Sequence, residues 1–341
     1  MDAKLDGSRE SGEDPPMKSG FRMERRKPVL IVQHARHEHP AIIRRALESQ
    51  GIQTAWIHPY RGDPYPELHT IRGVISLGGP MGANDQDEYP WIERECSLLA
   101  KSASEGLPTV GICLGGQMLA KGLGAEVIRN PIAEVGWFPI EPSAEGLEDK
   151  IIGSAGPLPL VYHWHNDTFI LPLDSVLLAS SKACARQAFR FGERAYGFQF
   201  HPEADHQLIH EWLAVAGVED EIAEARAEHG EATVQVADAQ RLSATEGERS
   251  SLRIATGIAQ LFETRAYACV PRAFHDQIKS WIEAQTLLTI ELEGPDRRLF
   301  HVWGRMVMFF TLPDGEFVIF REETNLLWPL RLDSIRSLKM A

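Results

Sequence analysis

Between Pro108 and Gln117 the chain reads PTVGICLGGQ, a short apolar run that reaches a cysteine and continues into small residues and a helix start. Cys113 has a glycine two residues to either side, Gly111 and Gly115. That is the spacing of a strained strand-to-helix elbow, which holds a nucleophile above the end of a sheet. Glycine lets the backbone turn sharply and pack closely there. A segment of this kind needs a buried strand on one side and a covering helix on the other, which restricts the chain to layered α/β architecture.

The flanking sequence agrees. Val29 to Gln33 reads as a first strand, Pro40 to Gln50 as an amphipathic helix closed by Gly51, and Thr54 to His58 as a second strand. Gly73 to Leu77, Thr109 to Ile112 and Tyr196 to Phe200 continue the strands, with a helix over Tyr89 to Gly106. The expectation is a doubly wound, mostly parallel sheet covered on both faces. In such sheets ligands bind beyond the carboxyl ends of strands. Three motifs follow strands: the glycine loop Leu77-Gly78-Gly79-Pro80, Cys113, and His201 in GFQFHPE, Gly197 to Glu203. A helix N-terminus beside Cys113 favours the thiolate, the attacking form of the side chain. His201 is the candidate base, and Glu203, two residues on, the group that orients its imidazole.

Composition narrows the classes. The chain has 341 residues, which suits one sizeable α/β domain plus a smaller unit. A formal charge of -13 argues for a small-molecule substrate and against nucleic acid or anionic membranes as partners. Four scattered cysteines without a CxxC pair indicate neither disulfides nor a zinc ribbon, and point to a reducing cytoplasm. No run is long enough to span a membrane, and the charged segment at 1–27 reads as a disordered tail. The α/β domain is expected over 28–266, with a helical extension from about 211 and a polar loop over Ser243 to Ser251. Residues 270–341 read as a small β-rich domain, an antiparallel sheet or barrel. Leu287 to Glu293, Leu299 to Thr311 and Phe317 to Arg321 are its strands, and Pro313-Asp314-Gly315 is a turn signal. The histidines in Gln33-His34-Ala35-Arg36-His37-Glu38-His39, with His163 and His165, fit no standard zinc spacing, so no metal is expected.

At GICLGGQ and FHPE the chain resembles the class I (triad) glutamine amidotransferases, over roughly Val29 to Ala266. Arg129-Asn130-Pro131, the EVGWFP run from Glu134 to Pro139 and the approach QAFRFGERAYGFQFHPE are similar to stand-alone proteins related to the amidotransferase domain of GMP synthase. The resemblance implies a flavodoxin-like fold and a triad of Cys113, His201 and Glu203. It implies an oxyanion loop at Leu77 to Pro80, with Gly79 and Leu114 supplying backbone N–H groups. Gln117 matches a position that contacts the glutamyl end of the substrate. VYHWHNDTF, Val161 to Phe169, looks like the segment that shapes the glutamine pocket, through His165 and Asp167. Gly116 departs from the family, which commonly carries a larger residue there, and its small size is expected to widen the pocket. No cofactor is implied: neither G-x-x-x-x-G-K-[ST] nor SGG-x-D-S occurs, and a complete GMP synthase is not expected. The reading is a hydrolase that releases ammonia from glutamine through a glutamyl thioester. Three alternatives stay open: a γ-glutamyl peptide hydrolase, a glutaminase subunit with a synthase partner in trans, and a non-catalytic regulatory module.

Overall fold

A computed structural model describes residues 27–235, 240–263, 272–293, 299–312, 315–322, 324, 326–331 and 335–340. The chain starts as expected, with β1 (Val29–Val32), α1 (Ala41–Ser49), β2 (Thr54–Ile57), β3 (Gly73–Ser76), α2 (Trp91–Ser104), β4 (Thr109–Ile112) and α3 (Leu114–Gly122). Every residue of β1, β3 and β4 is buried, which is why these strands read as unbroken apolar runs. Helix α1 buries Ile42, Ile43, Ala46 and Leu47 on one face, and the chain leaves it through Gly51 at φ 68°, a left-handed turn that suits glycine.

The order then changes to β5 (Val127–Pro139), β6 (Glu141–Pro142), a one-turn α4 (Ala144–Glu148), β7 (Leu160–Phe169), β8 (Ser175–Ser180), β9 (Ala188–Phe191) and β10 (Ala195–Phe198). The main sheet runs β2-β1-β3-β4-β10-β9-β8-β6. It is parallel from β2 to β10 and antiparallel from there outward. Strands β5 and β7 form an antiparallel ribbon of their own, and an isolated bridge ties Tyr162 of β7 to His201.

Helices α5 (His206–Leu213), α6 (Val218–His229) and α7 (Gln240–Leu261) follow. The loop expected over Ser243 to Ser251 is instead part of α7. Its Gly247 is not a break: a Cβ there would lie 2.2 Å from the Trp137 ring, so the glycine serves close packing. Leu252, Ala255, Ile258 and Ala259 continue the buried stripe at helical spacing.

The C-terminal part comprises α8 (Arg272–Glu283), β11 (Leu287–Glu293), β12 (Leu299–Leu312), β13 (Gly315–Glu322), β14 (Leu327–Arg331) and β15 (Ile335–Met340). It is an open antiparallel sheet in the order β14-β13-β12-β11-β15. Strand β13 is buried on both faces. Val318 and Phe320 pack with Ile278 of α8, while Phe317 and Ile319 join the core that holds Ile42 and Leu252. Arg45 and Ser49 of α1 donate to the carbonyls of Leu327 and Pro329, each at 2.7 Å. Residues 1–26 of the expected tail, 264–271 at the expected domain boundary, and Pro313-Asp314 of the turn signal lie outside the described residues. Among the described residues no helix is long and apolar enough to cross a membrane.

Candidate functional site

Cys113 sits between β4 and α3 at φ 49° and ψ -107°, a region that costs a non-glycine residue about 1–3 kcal/mol. The strain is held in place by its surroundings. A Cβ on Gly111 would lie 2.3 Å from the Gly115 carbonyl oxygen, and one on Gly115 would lie 2.2 Å from that of Ser76. Cys113 N donates to Phe198 O at 2.7 Å, and Gln117 N to Cys113 O at 2.9 Å. Gly116 does not widen the pocket as expected: a Cβ there would stand 2.6 Å from the Phe198 carbonyl oxygen. The space a side chain would need is occupied by the β10 backbone.

Past β10 the chain delivers His201, held by its N–H to Tyr162 O at 2.8 Å. His201 Nδ1 is 2.7 Å from Glu203 Oε1, and both residues are buried. Burial pulls the His201 pKa down, but Glu203 and Cys113 outweigh it and carry the ring well above its ordinary value. The Trp212 ring stands edge-on to His201, centroids 4.9 Å apart.

A cavity of about 260 Å³ opens over these groups. Cys113, His201, Gly79, Leu114, Gln117, His165 and Asp167 all line it, while Glu203 supports His201 from behind. Gly79 and Leu114 are adjacent, since a Cβ on Gly79 would touch Leu114 Cδ2 at 2.8 Å. As the first residue of α3, Leu114 has an N–H with no intrahelical acceptor. Gln117 donates to Gln199 Oε1 at 3.3 Å, and Gln199 Nε2 lies 3.8 Å from Cys113 Sγ. Both ring nitrogens of His165 are engaged, Nε2 with Glu134 and Nδ1 with Asp167 O, each at 3.1 Å. It therefore gives the cavity a fixed wall. Asp167 pairs with Arg129 at 3.6 Å, where the arginine is exposed.

Two residues missed in the sequence belong to this site. Gln199 is two positions before His201, on the same side of an extended segment, so the motif FQFH already contained it. Glu38, in the histidine-rich loop after β1, lines the cavity and brings a carboxylate oxygen within 4.8 Å of His201 and Glu203. Burial, helped by Glu203 and opposed by His201 and His34, pushes its carboxyl up to about 7. Its signal was an acid in the loop that follows a strand, overshadowed by the histidines around it.

The other described cysteines are unsuited to chemistry. Burial and then Glu95 push the Cys96 thiol up to about 12, and Cys184 is buried against Thr168 at 3.3 Å; Cys269 lies outside the described residues. Among the described residues two clusters bring metal-ligand atoms together, Glu134-His165-Cys184 and Glu38-His201-Glu203. In each, the imidazole is already bonded to a carboxylate of the same cluster.

Residues 40–219 match the family model described as glutamine amidotransferase class-I. The chain is 31% identical over 179 residues to the glutamine amidotransferase-like protein YfeJ of Salmonella typhimurium, covering 51% of this chain and 75% of that one. It is 27% identical to the glutamine-hydrolyzing GMP synthase of Aeropyrum pernix, covering 56% of this chain but only 36% of the synthase. The crystal structure of a glutamine amido transferase from Methylobacillus flagellatus superposes with a TM-score of 0.63 at 28% identity, covering 72% of this chain and 99% of that one.

Proposed function

Because this chain belongs to the class I glutamine amidotransferase family, we propose that it cleaves the γ-amide of glutamine, or of a close γ-glutamyl analogue, through a thioester on Cys113. The observation that carries this reading is the convergence of Cys113, His201 and Gly79 on one cavity, with Glu203 bonded behind His201. The Cys113 thiolate attacks the amide carbon, and the carbonyl oxygen becomes an oxyanion against the N–H groups of Gly79 and Leu114. Such a preorganised donor is worth roughly 3 kcal/mol in other hydrolases. His201, held as a cation by Glu203, gives its proton to the leaving nitrogen, and ammonia departs. Water, deprotonated by His201, then attacks the thioester carbon; glutamate leaves and Cys113 is restored. Gln117 and Asp167 flank the amino-acid end of the substrate, with His165 as its wall.

A second reading passes the ammonia to a synthase partner in trans. It is supported by the match to only 36% of the length of a GMP synthase, which leaves an ammonia-using portion to be supplied elsewhere. Both readings are tested by release of ammonia and glutamate from glutamine by the purified protein, beside Cys113→Ala and a panel of γ-glutamyl peptides. Cys113-dependent release from glutamine supports the glutaminase. Preference for a peptide reassigns the substrate, and strong activation of a weak glutaminase by one added protein supports the partnered form. Silence on every substrate, alone and with added proteins, overturns the proposal.

A further inference from the structure

Beneath the Leu77 to Pro80 loop lies a buried pair with no place in the triad. His34 follows β1, Glu95 lies on α2, and the side chains of both are fully buried. His34 Nδ1 is 2.9 Å from Gly78 O, and Nε2 is 3.0 and 3.1 Å from the two oxygens of Glu95. Ser76 Oγ and Tyr65 OH donate to Glu95 at 2.6 and 2.8 Å, and Trp91 stacks on the His34 ring at 5.2 Å. Both ring nitrogens and one face of the imidazole are thus held.

We propose that His34 and Glu95 are a clamp that sets the Gly78–Gly79 peptide for oxyanion stabilisation, a positioning role that rests on reading Gly79 as an oxyanion donor. The Gly78 carbonyl and the Gly79 N–H are the two ends of one peptide unit. Among the described residues no peptide bond is cis, so the two groups point in opposite directions. His34 holds the oxygen on the buried side, away from the cavity that Gly79 shares with Cys113. The N–H therefore faces the cavity.

The protonation follows from the partners. A carbonyl oxygen only accepts, so Nδ1 must carry a hydrogen, whichever member of the His34–Glu95 pair holds the proton between them. Burial lowers the His34 pKa, but Glu95 more than offsets it, and the ring stays above its ordinary value. Pulling on the carbonyl also polarises the N–H at the other end of the same peptide. A Gly-Gly link is the one most free to rotate out of position, and both glycines are needed for space. A Cβ on Gly78 would stand 3.0 Å from His201 Cε1, and one on Gly79 3.0 Å from His34 Cβ.

The test compares wild type with His34→Leu, His34→Asn and Glu95→Gln in three assays. Glutamine turnover requires both an oxyanion and glutamine recognition. The acylation burst with p-nitrophenyl acetate requires the oxyanion alone. Alkylation of Cys113 by iodoacetamide requires neither, because no carbonyl is attacked. His34→Leu is expected to lose roughly 10²- to 10³-fold in kcat with little change in KM. It should lose the ester burst equally while its alkylation rate stays at the wild-type value. His34→Asn, which keeps a donor near the Nδ1 position, should recover most of the loss. Glu95→Gln should lose about tenfold, and it decides the matter if His34→Leu does not fold. Alkylation falling in step with turnover, or unchanged turnover in all three variants, would overturn the clamp. A wild type with an ester burst but no action on glutamine defeats the glutaminase reading alone, and the clamp is then judged on the burst.

Discussion

Two histidine–carboxylate centres sit side by side in this molecule, and their chemistry is opposite. In the centre behind the cavity, Glu203 Oε1 makes a 2.7 Å bond to His201, and Glu203 Oε2 is buried with no hydrogen-bond partner among the described residues. In the centre between β5 and β7, Glu134 accepts from Gln187 at 2.7 Å, Ser181 at 2.8 Å and His165 at 3.1 Å. Burial alone would raise the Glu134 pKa, but the bonds from His165 and Ser181, with the neighbouring His163, bring it down to about 2. Burial brings the neighbouring His163 down to about 4, so that ring stays neutral, whereas His201 is held cationic. A carboxylate with its lone pairs satisfied by several donors builds a wall. One that faces a single imidazole and little else stabilises charge on that imidazole. His165 belongs to the Glu134 centre and forms part of the cavity wall of the His201 centre, so the rigid centre braces the reactive one.

The contrast breaks most completely at Cys113, the proposed nucleophile. Cys113→Ala should abolish ammonia release while leaving the melting temperature near that of wild type, since the glycines that shape the elbow remain. Turnover at the wild-type rate would remove Cys113 from the mechanism. Next in size is Glu203→Gln. Its amide can donate to Nδ1 as easily as accept from it, which frees the wrong imidazole tautomer and removes the charge that supports the cation. By analogy with other triads kcat should fall roughly 10²- to 10⁴-fold, with KM little changed. A change confined to KM would make Glu203 part of substrate binding.

Why the first centre was legible and the second was not follows from where their parts lie in the chain. His201 and Glu203 are two residues apart, and Cys113 announces itself by its glycines, so local spacing located all three. The parallel strands were equally readable, because burial on both faces leaves an uninterrupted apolar run. Glu134, His163, Ser181 and Gln187 meet only once the β5–β7 ribbon has paired, with a register shift between Arg129 and Glu134. No local pattern encodes that register. Helix α7 was hidden for a related reason. Its Ser243 to Ser251 stretch is polar in sequence, yet Gly247 is pressed against Trp137, more than a hundred positions earlier. Glu38 was in plain view, but its meaning depends on His201, which only the fold brings to it.

The rigid centre can be broken separately. Glu134→Ala leaves the His165, Ser181 and Gln187 donors without their shared acceptor. Removing one partner of such a buried set costs about 3 kcal/mol, or about 6–12 °C in melting temperature for a domain of this size. Activity per folded molecule should fall far less than in Glu203→Gln. The same centre gives an acid dependence with a definite sign. His163 titrates lower in the fold than its ordinary 6.5, at about 4, so the folded state binds fewer protons and stability falls as pH drops across that window. Glu134, lowered from 4.5 to about 2, extends the loss as pH drops further. Thermal melts from pH 7 to pH 3 check this: the decline below pH 6.5 should be shallower in His163→Gln, and an identical decline would refute the assignment.

The smallest effect belongs to Glu38, the second acid at the reactive centre, and it distinguishes a group that sets charge from one that only fills space. Its carboxyl, pushed up to about 7 by burial and Glu203, is neutral below that pH and charged above it. The sign for stability is opposite to that of Glu134: the folded state holds a proton that the unfolded chain has lost, so Glu38 weakens the fold as pH rises from 4.5 to about 7. For activity the charge acts the other way, since an ionised Glu38 favours the His201 cation. In wild type kcat/KM should therefore rise as pH passes through about 7. In Glu38→Gln that inflection should vanish, with a loss of less than about tenfold at pH 8, the scale of one screened charge near a partly exposed wall. A profile that keeps its inflection in the variant would assign the ionisation to His201 itself and reduce Glu38 to a wall of the cavity, so this mild substitution decides how many charges the reactive centre uses.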